Sequence, residues 1–219
     1  MKVFVINAYP YRAKKYDKRY TLFNPRPYKT IPDKLLEGQH FMWNAKKDYR
    51  QKVVSLVLAT ISLLNKIIKD DLKNVIIMED DFVLDFNRFK ELKGQKGFVY
   101  LGGEILSPLM KDFEKFRKKK KEFIRKNIKR GINQIDPKKF RIGETAAYFI
   151  PNKQVAQEIK DNLFQGEKRH AIDTEFVRLQ KEGVINFFVF PAIATSILEE
   201  ANKGYTASQY KKEHDQYYY

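Results

Sequence analysis

The chain reads as an α/β protein in which strands alternate with helices, predicting an open, mostly parallel central sheet flanked by helices. Three observations carry this. Short continuous runs of β-branched and aromatic residues recur: KVFVIN at 2–7, VIIM at 75–78, GFVYLGG at 97–103, TAAYFI at 145–150 and INFFVFP at 185–191. Strands buried on both faces need that composition. Between the first two lies Gln51 to Asp70, where Val54, Leu56, Val57, Ile61, Leu64 and Ile68 recur at helical spacing. Strand, helix, strand in that order makes a parallel crossover unit.

The remaining elements follow in turn. Residues 8–50 are rich in Tyr, Pro, Lys and Arg without a clear period. They read as a long connection with one short strand at YTLFN, residues 20–24. Residues 108–130, PLMKDFEKFRKKKKEFIRKNIKR, form a strongly basic helical stretch closed by Gly131. Pro151 and Asn152 open a helix running to about Leu163. AIDTEFVRLQKEG is a helix with Asp173 at or near its N-cap and Gly183 at its end. No repeat and no long linker divides the chain, so residues 1–219 are read as one domain, with about 106–141 a basic, largely helical insertion.

Composition narrows the function classes. Hydrophobic residues make up 43% and aromatics 14%, a folded globule rather than a disordered chain. The absence of cysteine excludes disulfides and a cysteine-based zinc site, and leans toward a cytoplasmic location. The first residues read as a strand and not as a signal peptide. The longest apolar stretch breaks at Lys66 and Lys69, too short to span a bilayer, so no transmembrane segment is expected. The formal charge of +16 draws polyanions: nucleic acid, an anionic membrane or phosphorylated ligands.

The stretch NVIIMEDDFVLDF places Glu79, Asp80 and Asp81 at the end of an apolar strand. Carboxylates repel one another, so a triplet there either decorates a solvated turn or surrounds a cation. In open α/β sheets ligands bind beyond the carboxyl ends of strands, which is where the triplet falls. On an extended chain Glu79 and Asp81 point one way and Asp80 the other. Two oxygen donors so spaced suit a hard divalent cation that brings phosphate and water as its other ligands. Other chemistries find less support. INAYPYR stands after the first strand where a Walker loop or G-x-G-x-x-G would be needed, and His40, His170 and His214 lie in no serine-hydrolase motif.

The segments INAYPYRAKKYDKRY, VVSLVLATISLLNKIIKDDLKNVIIMEDDFVL, FVYLGG, TAAYFIPNKQVAQEI, AIDTEFV and FFVFP occur in an order that resembles glycosyltransferase family 25. That family includes lipopolysaccharide-type and collagen-type galactosyltransferases. The combination of IIMEDD with AAYFIPNKQVAQEI carries most of the resemblance. The chain departs from the family pattern in the helix before the acidic strand, where SLVLATISLL replaces the usual Gly-Cys and Ser-His. The resemblance implies a single GT-A-type, Rossmann-like domain and an inverting transfer from a nucleotide-sugar donor. Manganese is the implied cofactor, with magnesium as an alternative, and a glycan, lipid-linked or protein-linked molecule is the acceptor.

On this reading Glu79 and Asp81 hold the metal, and Asp80, Asn7 and Arg12 contact the donor. Asp173 is the base that takes the acceptor's proton, with Glu175 second. Asp173 has a plainer reading as an N-cap, and Asn7 and Arg12 as ordinary loop residues. His170 and His214 read as surface histidines rather than metal ligands. The run at 115–130 is either a solvated face or a contact with an anionic surface, which would put the protein peripherally at a membrane. Two other classes compete. One is a nucleic-acid-binding module driven by charge, which leaves the acids unexplained. The other is a metal-dependent nuclease or phosphotransferase, which wants more convergent carboxylates.

Overall fold

A computed structural model describes residues 1–36, 47–107, 113–163 and 171–196. The elements in order are β1 (Lys2–Ile6), β2 (Tyr20–Phe23), α1 (Lys47–Lys69), β3 (Val75–Glu79), β4 (Phe82–Leu84), β5 (Val99–Leu106) and α2 (Phe113–Asn127). Then come β6 (Gly131–Gln134), β7 (Arg141–Ile150), α3 (Lys153–Asn162), α4 (Ile172–Lys181), β8 (Phe187–Phe190) and β9 (Ala194–Ser196). The architecture is α/β: a large mixed sheet flanked by helices, as the alternation of apolar runs predicts. The tail from 197 onward lies outside the described residues.

The main sheet has seven strands in the order β2-β1-β3-β7-β5-β8-β6. β1 pairs in parallel with both β2 and β3, and β5 with β8. β7 runs against β3 and β5, and β6 against β8. Most strands thus share one direction, but β7 enters the centre reversed. Apolar composition does not encode direction. What enforces a parallel pair is a crossover such as α1 between β1 and β3, whereas β3 and β7 are joined across several intervening elements. β7 also meets a β5 whose register shifts between Tyr100 and Gly102 and again before Glu104.

Each face of the sheet has its own core. On one, α1, α3 and α4 bury Leu63, Leu64, Ile67, Ile159, Phe176 and Leu179 against Phe4, Ile77 and Tyr148. Each such fully buried side chain contributes about 1.5–3 kcal/mol relative to exposure. α1 has 23 residues, more than its unbroken apolar run, and is the one helix among the described residues long and apolar enough to cross a membrane. Its apolar stripe is instead spent on the sheet, where Leu63, Leu64 and Ile67 are fully buried. Asn152 caps α3, accepting from Val155 N at 3.0 Å. Gly183, at φ +77°, follows α4 in the left-handed region that glycine tolerates best.

The opposite face is covered by a ribbon of β4 and β9 and by the 3-10 turn Phe86–Leu92. There Val3, Val5, Ile76 and Met78 meet Phe82, Leu84 and Leu92. Arg88 clamps this layer by donating to the carbonyls of Pro191 and Ala192 at 2.7 and 3.0 Å. Gly102 has no side chain because Ala194 is against it: an added Cβ would lie 3.1 Å from the Ala194 carbonyl oxygen. A buried amide ties α4 to the sheet. Gln180 accepts from Ile142 N at 2.9 Å and donates to Ile142 O at 2.7 Å and to the Tyr100 hydroxyl at 3.0 Å.

Candidate functional site

β1 and β3 lie side by side in register, Ile6 opposite Glu79. Their carboxyl ends therefore deliver Asn7–Arg12 and Glu79–Asp81 to one place. β2 ends beside them, since Ile6 is opposite Phe23. A cleft of about 530 Å³ opens there. Its walls are Asn7, Tyr9 and Arg12 after β1, Asn24–Tyr28 after β2, Tyr49, Lys52 and Ser55 on α1, and Glu79, Asp80 and Asp81. The wall after β2 is fastened to α1: Ser55 Oγ donates to Arg26 O at 2.6 Å and Gln51 Nε2 to Ile31 O at 3.2 Å.

The three acids have different surroundings. Asp80 is 3% exposed. One of its oxygens accepts the Tyr9 backbone N–H at 2.6 Å and the other accepts Arg12 Nη1 at 2.9 Å. Asp81 lies with Oδ2 3.8 Å from the same Arg12 nitrogen, and its Oδ1 is buried without a hydrogen bond from another residue. Burial pushes the Asp81 carboxyl above its ordinary value, with Arg12 opposing and Asp80 reinforcing. Glu79 is half-buried at the last position of β3. An extended chain would place Asp80 away from the other two. The chain instead leaves the strand after Glu79, and in the turn that follows Asp80 and Asp81 both approach Arg12.

Cations and rings alternate along the cleft. The Arg12 guanidinium lies 4.5 Å from the Tyr9 ring centre and 5.7 Å from that of Tyr11. Lys52 Nζ lies 5.7 Å from the Tyr9 ring and 5.3 Å from the Tyr28 ring. A hydrogen bond with Tyr9 raises the Lys52 ammonium above its ordinary value. Near the acids, Lys15 is lowered by burial and by Arg12. Asn7 is 5% exposed; its Nδ2 donates to Asn24 Oδ1 at 2.8 Å, while its own Oδ1 is buried with no partner. Asn7, Arg12, Glu79, Asp80 and Asp81 are thus brought together, as the sequence predicts.

Asp173 and Glu175 are not among the residues lining this cleft. The N-cap of α4 is Ala171 rather than Asp173. Asp173 lies exposed in the first turn, its carboxylate accepting the Thr174 N–H at 2.7 Å. Glu175 is 1% exposed and held by Arg178, with Nη2 at 2.9 Å and Nε at 3.1 Å. His170 and His214 lie outside the described residues. Lys52, Tyr28, Asn24 and the Tyr9 amide are cleft groups that sequence reasoning missed. The signal for Tyr9, Asn24 and Tyr28 is the density of Tyr, Pro, Lys and Arg between residues 8 and 50; Lys52, on α1, has none.

Among the described residues no group of three or more His, Cys, Asp or Glu side chains is arranged to hold a metal ion. A complete protein cage is therefore not offered by them. The donor set does fit an ion that arrives with phosphate oxygens: Asp81 has a carboxylate oxygen without a partner, and Glu79 stands beside it at the same strand end.

No known family model matches the chain, and no curated protein sequence matches it.

The basic segment at 115–130 divides by face. Lys118, Lys119, Lys121 and Arg125 of α2 are exposed. Lys120 is 6% exposed, its Nζ 2.8 Å from Glu104, so it belongs to the fold rather than to a solvated ridge.

Proposed function

We propose that the chain is a metal-dependent glycosyltransferase that moves a sugar from a nucleotide-sugar to a glycan or glycoconjugate hydroxyl, with inversion. The observation that carries this is the cleft at the ends of β1 and β3. There three acids, Arg12 and an unpartnered Asp81 oxygen share one cleft with Tyr28, Tyr49 and Lys52. Aromatic and cationic groups of that kind receive a base and its phosphates, and the acids receive the phosphates' counter-ion. The resemblance to glycosyltransferase family 25 rests on the motifs quoted above and points to the same chemistry. A nuclease or phosphotransferase using the same acids would need a further convergent carboxylate, and the described walls of the cleft supply none beyond these three.

Breaking the sugar–phosphate bond leaves negative charge on a nucleoside diphosphate. Arg12 and Lys52 would face that charge, and groups already oriented toward developing charge lower the barrier most. Asp81, with Glu79, would hold the divalent ion, which when bound neutralises the departing diphosphate. Asn7 Oδ1 would accept a hydrogen bond from the donor. The acceptor hydroxyl must lose its proton, and the sequence reading assigns that step to Asp173, which is exposed in the first turn of α4 but does not line the cleft, whereas Glu175 is enclosed with Arg178.

A panel of nucleotide-sugars, scored for manganese-dependent hydrolysis and for transfer, tests the reading. Asp173→Asn should leave donor hydrolysis near the parent's and lower transfer by about 10²–10⁴-fold, the contribution of a positioned proton acceptor. Glu175→Gln should act through stability instead. No hydrolysis of any donor, with and without metal, would sink the proposal.

A further inference from the structure

The main sheet ends at β2 on one side and at β6 on the other, and the two edges are finished differently. At β6 the side chain of Asn133 folds back on the chain. It donates to the carbonyls of Lys129 at 2.7 Å and Gly131 at 2.9 Å and accepts the Lys129 N–H at 2.9 Å. At β2 nothing among the described residues does this. Phe23 O accepts the Asn7 N–H, so Phe23 and Thr21 turn their backbone groups toward β1, while Tyr20 and Leu22 turn theirs outward. The Tyr20 N–H closes the turn before the strand on Asp17 O at 3.1 Å. The Leu22 N–H and C=O and the Tyr20 C=O, in contrast, meet no hydrogen-bond partner among the described residues. The Leu22 side chain, on the same face as that of Tyr20, is 40% exposed.

Charge brackets this open edge. Residues 11–30 hold seven cations against one acid, Asp17. Three of the cations are engaged: Arg19 grips Asp17 with Nη2 at 2.6 Å, Arg12 pairs with Asp80, and Lys15 lies in the field of Asp80 and Asp81. Lys14 and Lys18 before the strand, and Arg26 and Lys29 after it, are exposed. None of these four has a carboxylate within ion-pair distance among the described residues. We infer that the outer edge of β2 is a docking site for an extended acidic segment of a partner protein, which adds to the seven-stranded sheet as a further strand. The backbone groups of Leu22 and Tyr20 supply the ladder, the Leu22 side chain meets alternate residues of the segment, and the four cations select for acids. A second copy of the chain fits poorly. Antiparallel pairing of two β2 edges sets Lys18 of each near Arg26 of the other, and lysines at an edge guard against such self-pairing. None of the chain's segments outside the described residues is a run of acids, so the complementary charge has to come from another molecule. The docking does not depend on what the cleft at the ends of β1 and β3 binds.

The probe is the end-blocked peptide Glu-Glu-Glu-Val-Thr-Val-Thr-Glu-Glu-Glu, followed by fluorescence anisotropy and by amide spectra of the full chain. The parent should bind it, with the Leu22 N–H shifted and protected from exchange, and should ignore the same peptide with Lys in place of Glu. Leu22→Pro removes the outward N–H and leaves the ladder to β1 intact, an edge position that proline tolerates. It should weaken binding by about tenfold, as the loss of one or two net hydrogen bonds implies. Lys18→Gln with Lys29→Gln should weaken binding several-fold and flatten its salt dependence. If Leu22→Pro does not fold, the parent with a peptide methylated on its central backbone nitrogens carries the same tenfold prediction. Equal binding of the methylated peptide, or of polyphosphate in place of the peptide, with the Leu22 N–H unprotected, would reduce the edge to a basic patch and overturn strand addition. Self-association in sedimentation that Leu22→Pro abolishes would put a second copy on the edge and overturn the acidic partner. No binding of the acidic peptide at low salt would overturn the docking site outright.

Discussion

Replacing Asp80 by Asn separates an anchor from a ligand contact. Sequence spacing makes Asp80 a donor contact, whereas its surroundings make it the post that holds the loop after β1. The side chain is 4% exposed and that of Arg12 12%, so solvent screens their pair only weakly. Removing one partner of a fully buried ion pair costs about 3–5 kcal/mol. Two features reduce that here. Asparagine Oδ1 still accepts the Tyr9 N–H, and Arg12 retains Asp81 at 3.8 Å. The expected loss is therefore about 1.5–3 kcal/mol, the range for a hydrogen bond to a charged group. At about 2–4 °C per kcal/mol for a domain of this size, the midpoint of thermal unfolding should fall by several degrees. Urea unfolding at neutral pH, with the m-value checked against the parent, measures the loss directly. Stability within about 0.5 kcal/mol of the parent, the ordinary range for a surface substitution, together with abolished diphosphate binding, would refute the anchoring argument and return Asp80 to the ligand.

Two further outcomes follow from the same geometry. Burial raises the Asp81 carboxyl, so the folded protein holds its proton to higher pH than the unfolded chain. The stability associated with that group is full below the unfolded carboxylate range and is lost as pH rises through the raised value. Asp81→Asn should accordingly stabilise the ligand-free protein at pH 7, with the gain disappearing as urea unfolding is repeated toward pH 4, while metal-dependent diphosphate binding is lost. On α2, changing Lys118, Lys119 and Lys121 together to Gln should weaken binding to anionic vesicles and flatten its salt dependence, with donor hydrolysis untouched. Lys120 is left in place because it pairs with Glu104 under the helix. Unaltered vesicle binding would show the ridge to be a solvated face.

Much of the framework was legible because burial on both sides of a strand leaves a plain mark. Val75–Met78 is fully buried, and the run VIIM announces as much. The same holds for α1, whose spacing names Val54 and Leu64 as core. Less legible were elements whose reason lies in a neighbour. The strands β4 and β9 are three residues each and exist because they pair with one another over Leu92 and Ile193. The short strand β6 belongs with them, since its pairing with β8 is what defines it. The acids at the end of β3 and the residues after β1 could be named from the chain, but their division of labour could not. It depends on a turn that brings Asp80 and Asp81 round to one guanidinium, where period-two alternation sends them apart. Gln180 shows the limit best. A glutamine on a helix reads as surface, yet it lies buried because the bulged β5 and β7 leave backbone groups and the Tyr100 hydroxyl that only an amide can satisfy.

The reversed strand at the centre of the sheet has a consequence for the chain as it is being made. β3 depends for its second edge on β7, which is completed about 70 residues later. At synthesis rates of about 5–20 residues per second, that edge waits roughly 4–14 s. In that interval β1, β2, α1 and β3 can assemble among themselves, but Ile76, Ile77 and Met78 border an unpaired row of backbone donors and acceptors. An apolar strand open along one side is a template for another copy of itself. Nascent chains arrested between β3 and β7 should therefore be the ones that chaperones hold longest. What closes the edge is the arrival of β7 alone.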